Sequence, residues 1–137
     1  MKNLFSLDKN DRFMYYLASP FSSPDPAVED KRYKQINKIG DKLFHQFGIH
    51  HIPPITISET VRRHSTSEDL GGSFDIYADV DYHFIERCDG VIVAMLPGWD
   101  VSIGVQAEIR YARKLGKPVL YLEPVVIEQL IGESLGE

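Results

Sequence analysis

Apolar residues in this chain fall into two alternating patterns, short continuous runs and longer stretches with a helical period. Residues 12–18 (RFMYYLA) form an aromatic, apolar run closed by Ser19-Pro20, which predicts a buried strand followed by a turn. Beyond Pro24 and Pro26, the residues Tyr33, Ile36, Gly40, Leu43 and Phe47 recur every three or four positions. That spacing predicts one face of a helix, with Gly48 as its stop. Residues 52–57 (IPPITI) read as a second extended segment. Its two prolines place it near a sheet edge, because proline cannot donate to a central ladder. Residues 58–74 are polar, lack periodicity and contain Gly71-Gly72, which predicts a lid loop.

The second half is sharper. Residues 77–87 predict a helix, 90–96 (GVIVAML) a central strand, 102–115 a helix closed by Gly116, and 118–122 (PVLYL) another strand. Residues 125–135 hold room for one short helix. Strands alternating with helices predict a parallel sheet with right-handed crossovers. The expected architecture is a flavodoxin-like, doubly wound α/β sheet of four to five strands in the order 2-1-3-4, with helices on both faces. Ligands in such folds sit beyond the carboxyl ends of strands one and three, here Ala18-Ser19-Pro20 and Leu96-Pro97-Gly98.

Length and composition narrow the picture. The 137 residues and 15.6 kDa suit a single domain spanning 1–137, with residues 1–11 as an N-terminal arm. At 43% apolar residues the chain can build a core, which argues against disorder. A net charge of −5 argues against a duplex nucleic-acid binder but leaves room for a mononucleotide. The single cysteine, Cys88, excludes a disulfide framework, and the five histidines show no ligand-like spacing, so neither a metal nor a cofactor is expected. The opening residues lack a signal-peptide core and no run approaches membrane-spanning length, so a soluble, cytoplasmic protein is expected.

Two carboxylates stand out. In the helix 77–87 the apolar stripe runs Ala78, Tyr82, Ile85, Cys88, and Asp81 falls inside it. A carboxylate there costs desolvation energy unless it is partnered or functional; a helix-edge hydrogen bond would also explain it. In the helix 102–115, Glu108 borders the stripe Val101, Val105, Ile109, Ala112, Leu115 and hangs over the switch-point crevice. An ion pair with a nearby arginine on a solvated face is the alternative. The preceding loop offers Trp99 as a platform to stack on a ring or as a packing anchor. Asp100 and Ser102 are candidates for the helix N-cap or for ligand contact, and Gly104 permits a close approach to the helix backbone. Arg62 and Arg63 could meet a phosphate or remain solvated. The helix N-terminus predicts an ionised Glu108, and the apolar surroundings predict a protonated Asp81.

The string Tyr16-Leu17-Ala18-Ser19-Pro20-Phe21 resembles the opening of nucleoside 2-deoxyribosyltransferases and their nucleotide N-hydrolase relatives. Asp81 eight residues before Asp89, Gly104 four before Glu108, and the passage Tyr111-Ala112 to Gly116-Lys117-Pro118-Val119 resemble the same superfamily. Within it the chain looks closest to a small subgroup carrying L-P-G-W-x-x-S-x-G-x-x-x-E. The resemblance implies cleavage or transfer at an N-glycosidic bond. Glu108 would be the nucleophile, Tyr16 would orient it, and Asp81 would protonate the leaving base. Ser102 stands where the transferases carry an Asp and the nucleotide hydrolases a Ser that meets a 5′-phosphate, which tilts the substrate towards a nucleoside 5′-monophosphate. Ser19 would be a further phosphate donor, and Phe21, Trp99, Asp100 and Gly104 complete the expected substrate contacts. The asparagine-bearing C-terminal motif of the transferases is not evident in the tail from Glu123 to Val126. The resemblance also implies a homo-oligomer. A non-catalytic nucleotide-binding or sensing domain of the same fold is the alternative function.

Overall fold

The computed structural model describes residues 12–65 and 74–136. Its elements are β1 (Met14–Ala18), α1 (Pro26–Phe47), β2 (His50–Ile52), α2 (Pro54–His64), α3 (Phe74–Arg87), β3 (Gly90–Ala94), α4 (Ile103–Lys114), β4 (Val119–Leu122) and α5 (Pro124–Ile131). A short 3-10 turn, Trp99–Val101, precedes α4. The four strands form one parallel sheet in the order β2-β1-β3-β4, the flavodoxin-like arrangement expected.

Alternation along the central strands builds both layers. Tyr15 and Leu17 face a core made with Ile36, Ile39 and Leu43 of α1 and Ile127 and Leu130 of α5. Tyr16 and Ala18 face the opposite core, with Ile85 of α3 and Val105, Ile109 and Ala112 of α4. Strands covered on both faces are continuously apolar, which is why β1 and β3 stand out in the chain. Ala18 pairs with Val93, so the carboxyl ends of β1 and β3 are neighbours.

Helix ends follow local chemistry. Asp25 caps α1 by accepting from the Ala27 N–H at 2.9 Å, and Gly48 closes it at φ +66°. Lys117 Nζ donates to the carbonyls of Ile85, Glu86 and Cys88, which ties the end of α3 to the start of β4.

Two expectations are corrected. Residues 52–57 are not an extended run: β2 ends at Ile52, and Pro54 opens α2. Proline at the first helical position lacks only an N–H that would have no helical partner, so the same residues that end a strand start a helix. The expected lid loop 58–74 is accordingly helical up to His64 and again from Phe74. Residues 66–73 of that lid and the arm 1–11 lie outside the described residues. Among the described residues, no helix is long and apolar enough to cross a membrane.

Candidate active site

A cavity of about 830 Å³ opens above the carboxyl ends of β1 and β3. Its walls come from the loop after β1, from α1, α2 and α3, and from the start of α4. A volume of this size lies within the range of small-molecule sites.

Tyr16, wholly buried on β1, lies beneath this cavity. Its hydroxyl donates to Glu108 Oε2 at 2.5 Å. Asp81, on α3, lies close enough for the same hydroxyl and its carboxyl to influence each other. Both carboxyl residues line the cavity, so three acidic groups from three elements meet at one point of its wall.

Their electrostatics depart from the sequence-based expectation. Burial pushes the Glu108 carboxyl up to about 8, with the Asp81 charge adding to the rise and the Tyr16 hydrogen bond opposing it. Burial raises Asp81 to about 6, again opposed by Tyr16. Near neutral pH, therefore, the two carboxyls together hold a proton, because burial disfavours ionisation of both rather than of Asp81 alone. Glu108 is the sixth residue of α4, past the first turn in which a helix N-terminus stabilises a carboxylate. Its enclosure by protein outweighs the dipole. Tyr16 itself is pushed well above its ordinary range by burial and by the two acids, so it stays a phenol.

At the start of α4, Ser102 is the N-cap: its Oγ accepts from the Val105 N–H at 3.2 Å. The hydroxyl proton remains available to a ligand. Gly104 also lines the cavity; a Cβ there would meet only Ser102 Oγ at 4.0 Å, so no protein contact demands glycine. Ser19 is 7% exposed, borders the cavity, and its Oγ has no hydrogen-bond partner among the described residues. A buried hydroxyl left unpaired in this way points to a missing partner. Phe21 completes this side of the lining.

Trp99 and Asp100 stand apart from these. The Trp99 indole packs against Tyr121 at 5.9 Å between ring centroids, and neither residue borders the cavity. Trp99 thus packs the loop against β4, in keeping with the packing-anchor reading. Asp100 lies in the 3-10 turn, and the cap it could have formed belongs to Ser102.

Arg32, unmarked in the sequence, proves central. Its Nη1 donates to the carbonyls of Phe21 and Ser22, each at 3.0 Å, and its Nη2 to Pro97 O at 3.1 Å. One side chain thereby ties the loop after β1 to the loop after β3. Gly98 makes room for it: φ is +95°, and a Cβ would lie 2.7 Å from Arg32 Nη2. On α2, Glu59 is 3% exposed and gathers Arg62 and Arg63 through i,i+3 and i,i+4 pairs. That helical spacing of opposite charges was the available signal for α2.

The fold and site define a doubly wound α/β domain with an acidic cluster at its topological switch point. The chain belongs to the family described as a domain of unknown function, DUF1937, whose model matches residues 13–124. That span includes all four strands and Tyr16, Asp81 and Glu108. A comparison with curated proteins finds no match.

Proposed function

We propose that this protein is an N-glycosidase acting on a nucleoside 5′-monophosphate through a covalent intermediate on Glu108. The observation that carries the reading is the Tyr16–Glu108 hydrogen bond at 2.5 Å, with Asp81 lining the same cavity. A glycosyl transfer through a covalent intermediate needs one carboxylate to attack and one acid to protonate the leaving group.

In the proposed reaction a Glu108 oxygen bonds to the anomeric carbon. The carbon–nitrogen bond breaks, its electrons go to the base, and the base takes a proton from Asp81. Water then attacks the anomeric carbon while giving a proton to the Asp81 carboxylate. This breaks the bond to Glu108, restores its carboxylate and leaves a sugar phosphate with a free anomeric hydroxyl. Transfer to a second base in place of water is a variant. The acidic pair holds one proton between about pH 6 and 8. Attack requires that proton to reside on Asp81. The Tyr16 hydroxyl, which donates to Glu108 Oε2, can pass the proton by turning its own O–H toward Asp81 as it accepts one from Glu108.

Ser19 and Ser102 supply hydroxyl donors for the 5′-phosphate, and the start of α4 adds free N–H groups. Chromatography of a panel of nucleosides and their 5′-monophosphates tests the reading. Free base is expected from the monophosphates and much less from the nucleosides. Equal turnover of both contradicts the phosphate assignment. Binding without any base release favours a nucleotide sensor.

A further inference from the structure

Two arginines line the cavity, and they differ in what holds them. Arg32 is held by three uncharged carbonyls, with Glu29 as the one acid that influences it. Arg62 instead donates through Nε and Nη2 to both oxygens of Glu59, at 2.7 and 2.5 Å. Glu59 is fixed in turn by Arg63 Nε at 3.0 Å, while Arg63 pairs with Asp30 at 2.9 Å and lies 4.3 Å over the Tyr33 ring.

The Nε edge of Arg62 is therefore committed, whereas its Nη1 amino group makes no hydrogen bond among the described residues. It offers N–H donors on a cation already matched by a buried carboxylate. Such a group suits an uncharged acceptor better than a phosphate, for which the Ser19 and Ser102 hydroxyls are placed.

We propose that Arg62 reads the base of the bound nucleotide through Nη1 and selects bases with a carbonyl at the edge farthest from the glycosidic bond. These are 6-oxopurines and 4-oxopyrimidines. The inference rests on the reading above, in which the anomeric carbon lies at Glu108. Arg62 lines the cavity from α2, whereas Asp81 and Glu108 line it from α3 and α4, so a base held with its anomeric carbon at Glu108 can turn its far edge to the α2 wall. An amino group at that position would set donor against donor and leave both unpaired. Sites built to hydrogen-bond one substrate group discriminate steeply against analogues lacking it. Glu59 is the positioning residue that aims the guanidinium.

Calorimetric titration tests this on Glu108→Gln protein, in which turnover is suspended. The ligands are inosine, adenosine, uridine and cytidine 5′-monophosphates, ribose 5-phosphate, and free hypoxanthine and uracil. The oxo-base nucleotides should bind roughly tenfold or more tightly than their amino counterparts. Adding Arg62→Ala should reduce them to the amino-base level and leave ribose 5-phosphate unchanged. Arg62→Lys, which cannot hold Glu59 and a carbonyl together, should lose the selectivity as well. No oxo preference in the Arg62 protein, or an equal loss for every phosphorylated ligand in Arg62→Ala, overturns the proposal. If nucleotides fail to bind but the free oxo-bases bind through Arg62, base reading stands and the nucleotide reading falls. If no ligand binds, both fall.

Discussion

The hydroxyl of Tyr16 and the carboxyl of Glu108 stand 2.5 Å apart although 92 positions separate them in the chain. Parallel pairing of β1 with β3 brings this about, because it sets the end of β1 beside the strand whose following loop leads into α4. The phenol lowers the energy of the ionised Glu108, the form that the proposed chemistry needs. Tyr16→Phe should therefore push the Glu108 carboxyl still higher. A hydrogen bond to a charged group contributes about 1.5–3 kcal/mol, so base release should fall roughly tenfold to a hundredfold. Carbon-13 carboxyl NMR titration of Glu108 checks the shift directly.

The proposed reaction needs one proton in the acidic pair, which fixes its pH dependence. Glu108 titrates at about 8 and Asp81 at about 6, so kcat/KM should be bell-shaped with limbs near those values. Below the acid limb both groups are protonated and the nucleophile is lost; above the alkaline limb no proton remains for the leaving base. Asp81→Asn should remove the alkaline limb and slow cleavage by about 10²–10⁴-fold, least for bases that leave readily. Steady-state rates between pH 5 and 10 give the comparison.

Stability should carry the same signature. In the folded protein Glu108 keeps its proton up to about pH 8, against an ordinary value of 4.5. The folded state therefore binds more protons between those values, and stability falls as pH rises through the window. Glu108→Gln removes a buried group that must ionise. It should be more stable than the parent above pH 8, by up to about 5 kcal/mol, and nearly equal to it below pH 4.5. Urea unfolding at pH 4 and pH 9 measures the difference.

Much of this arrangement is legible in the chain, and the parts that are not have physical causes. Strands β1, β3 and β4 announce themselves because helices on both faces favour apolar runs, as in residues 90–94. The short edge strand β2 (His50–Ile52) carries no such run, and the extended segment expected at 52–57 lies too far along the chain. Asp81 and Glu108 are visible as acids at the margins of apolar stripes. Helix α2 escapes because its period is carried by Glu59, Arg62 and Arg63 and because Pro53-Pro54 suits a strand end equally well. Arg32 looks like one of several charges on α1, since its partners are carbonyls of two distant loops. That burial raises both carboxyls depends on their enclosure by the surrounding elements, which helix position alone does not convey.

The Arg32 clamp has a test of its own. Gly98→Ala forces a side chain onto a φ of +95° and within 2.7 Å of Arg32 Nη2. The strain should cost about 1–3 kcal/mol. Loosening the two loops should also weaken binding of a 5′-monophosphate more than that of a free base. Denaturant unfolding and ligand titration on the same variant separate the two effects.

The most direct measurement concerns the covalent bond to Glu108. A 5′-monophosphate whose sugar bears an electron-withdrawing 2-fluoro group slows release of a glycosyl-enzyme and allows it to accumulate. Mass spectrometry of the incubated protein should show a mass gain equal to the fluorinated sugar phosphate, located on the tryptic peptide 88–110 at Glu108. The Glu108→Gln protein should remain unlabelled. An unlabelled parent that nevertheless releases base, or a label on any other residue, would contradict Glu108 as the nucleophile.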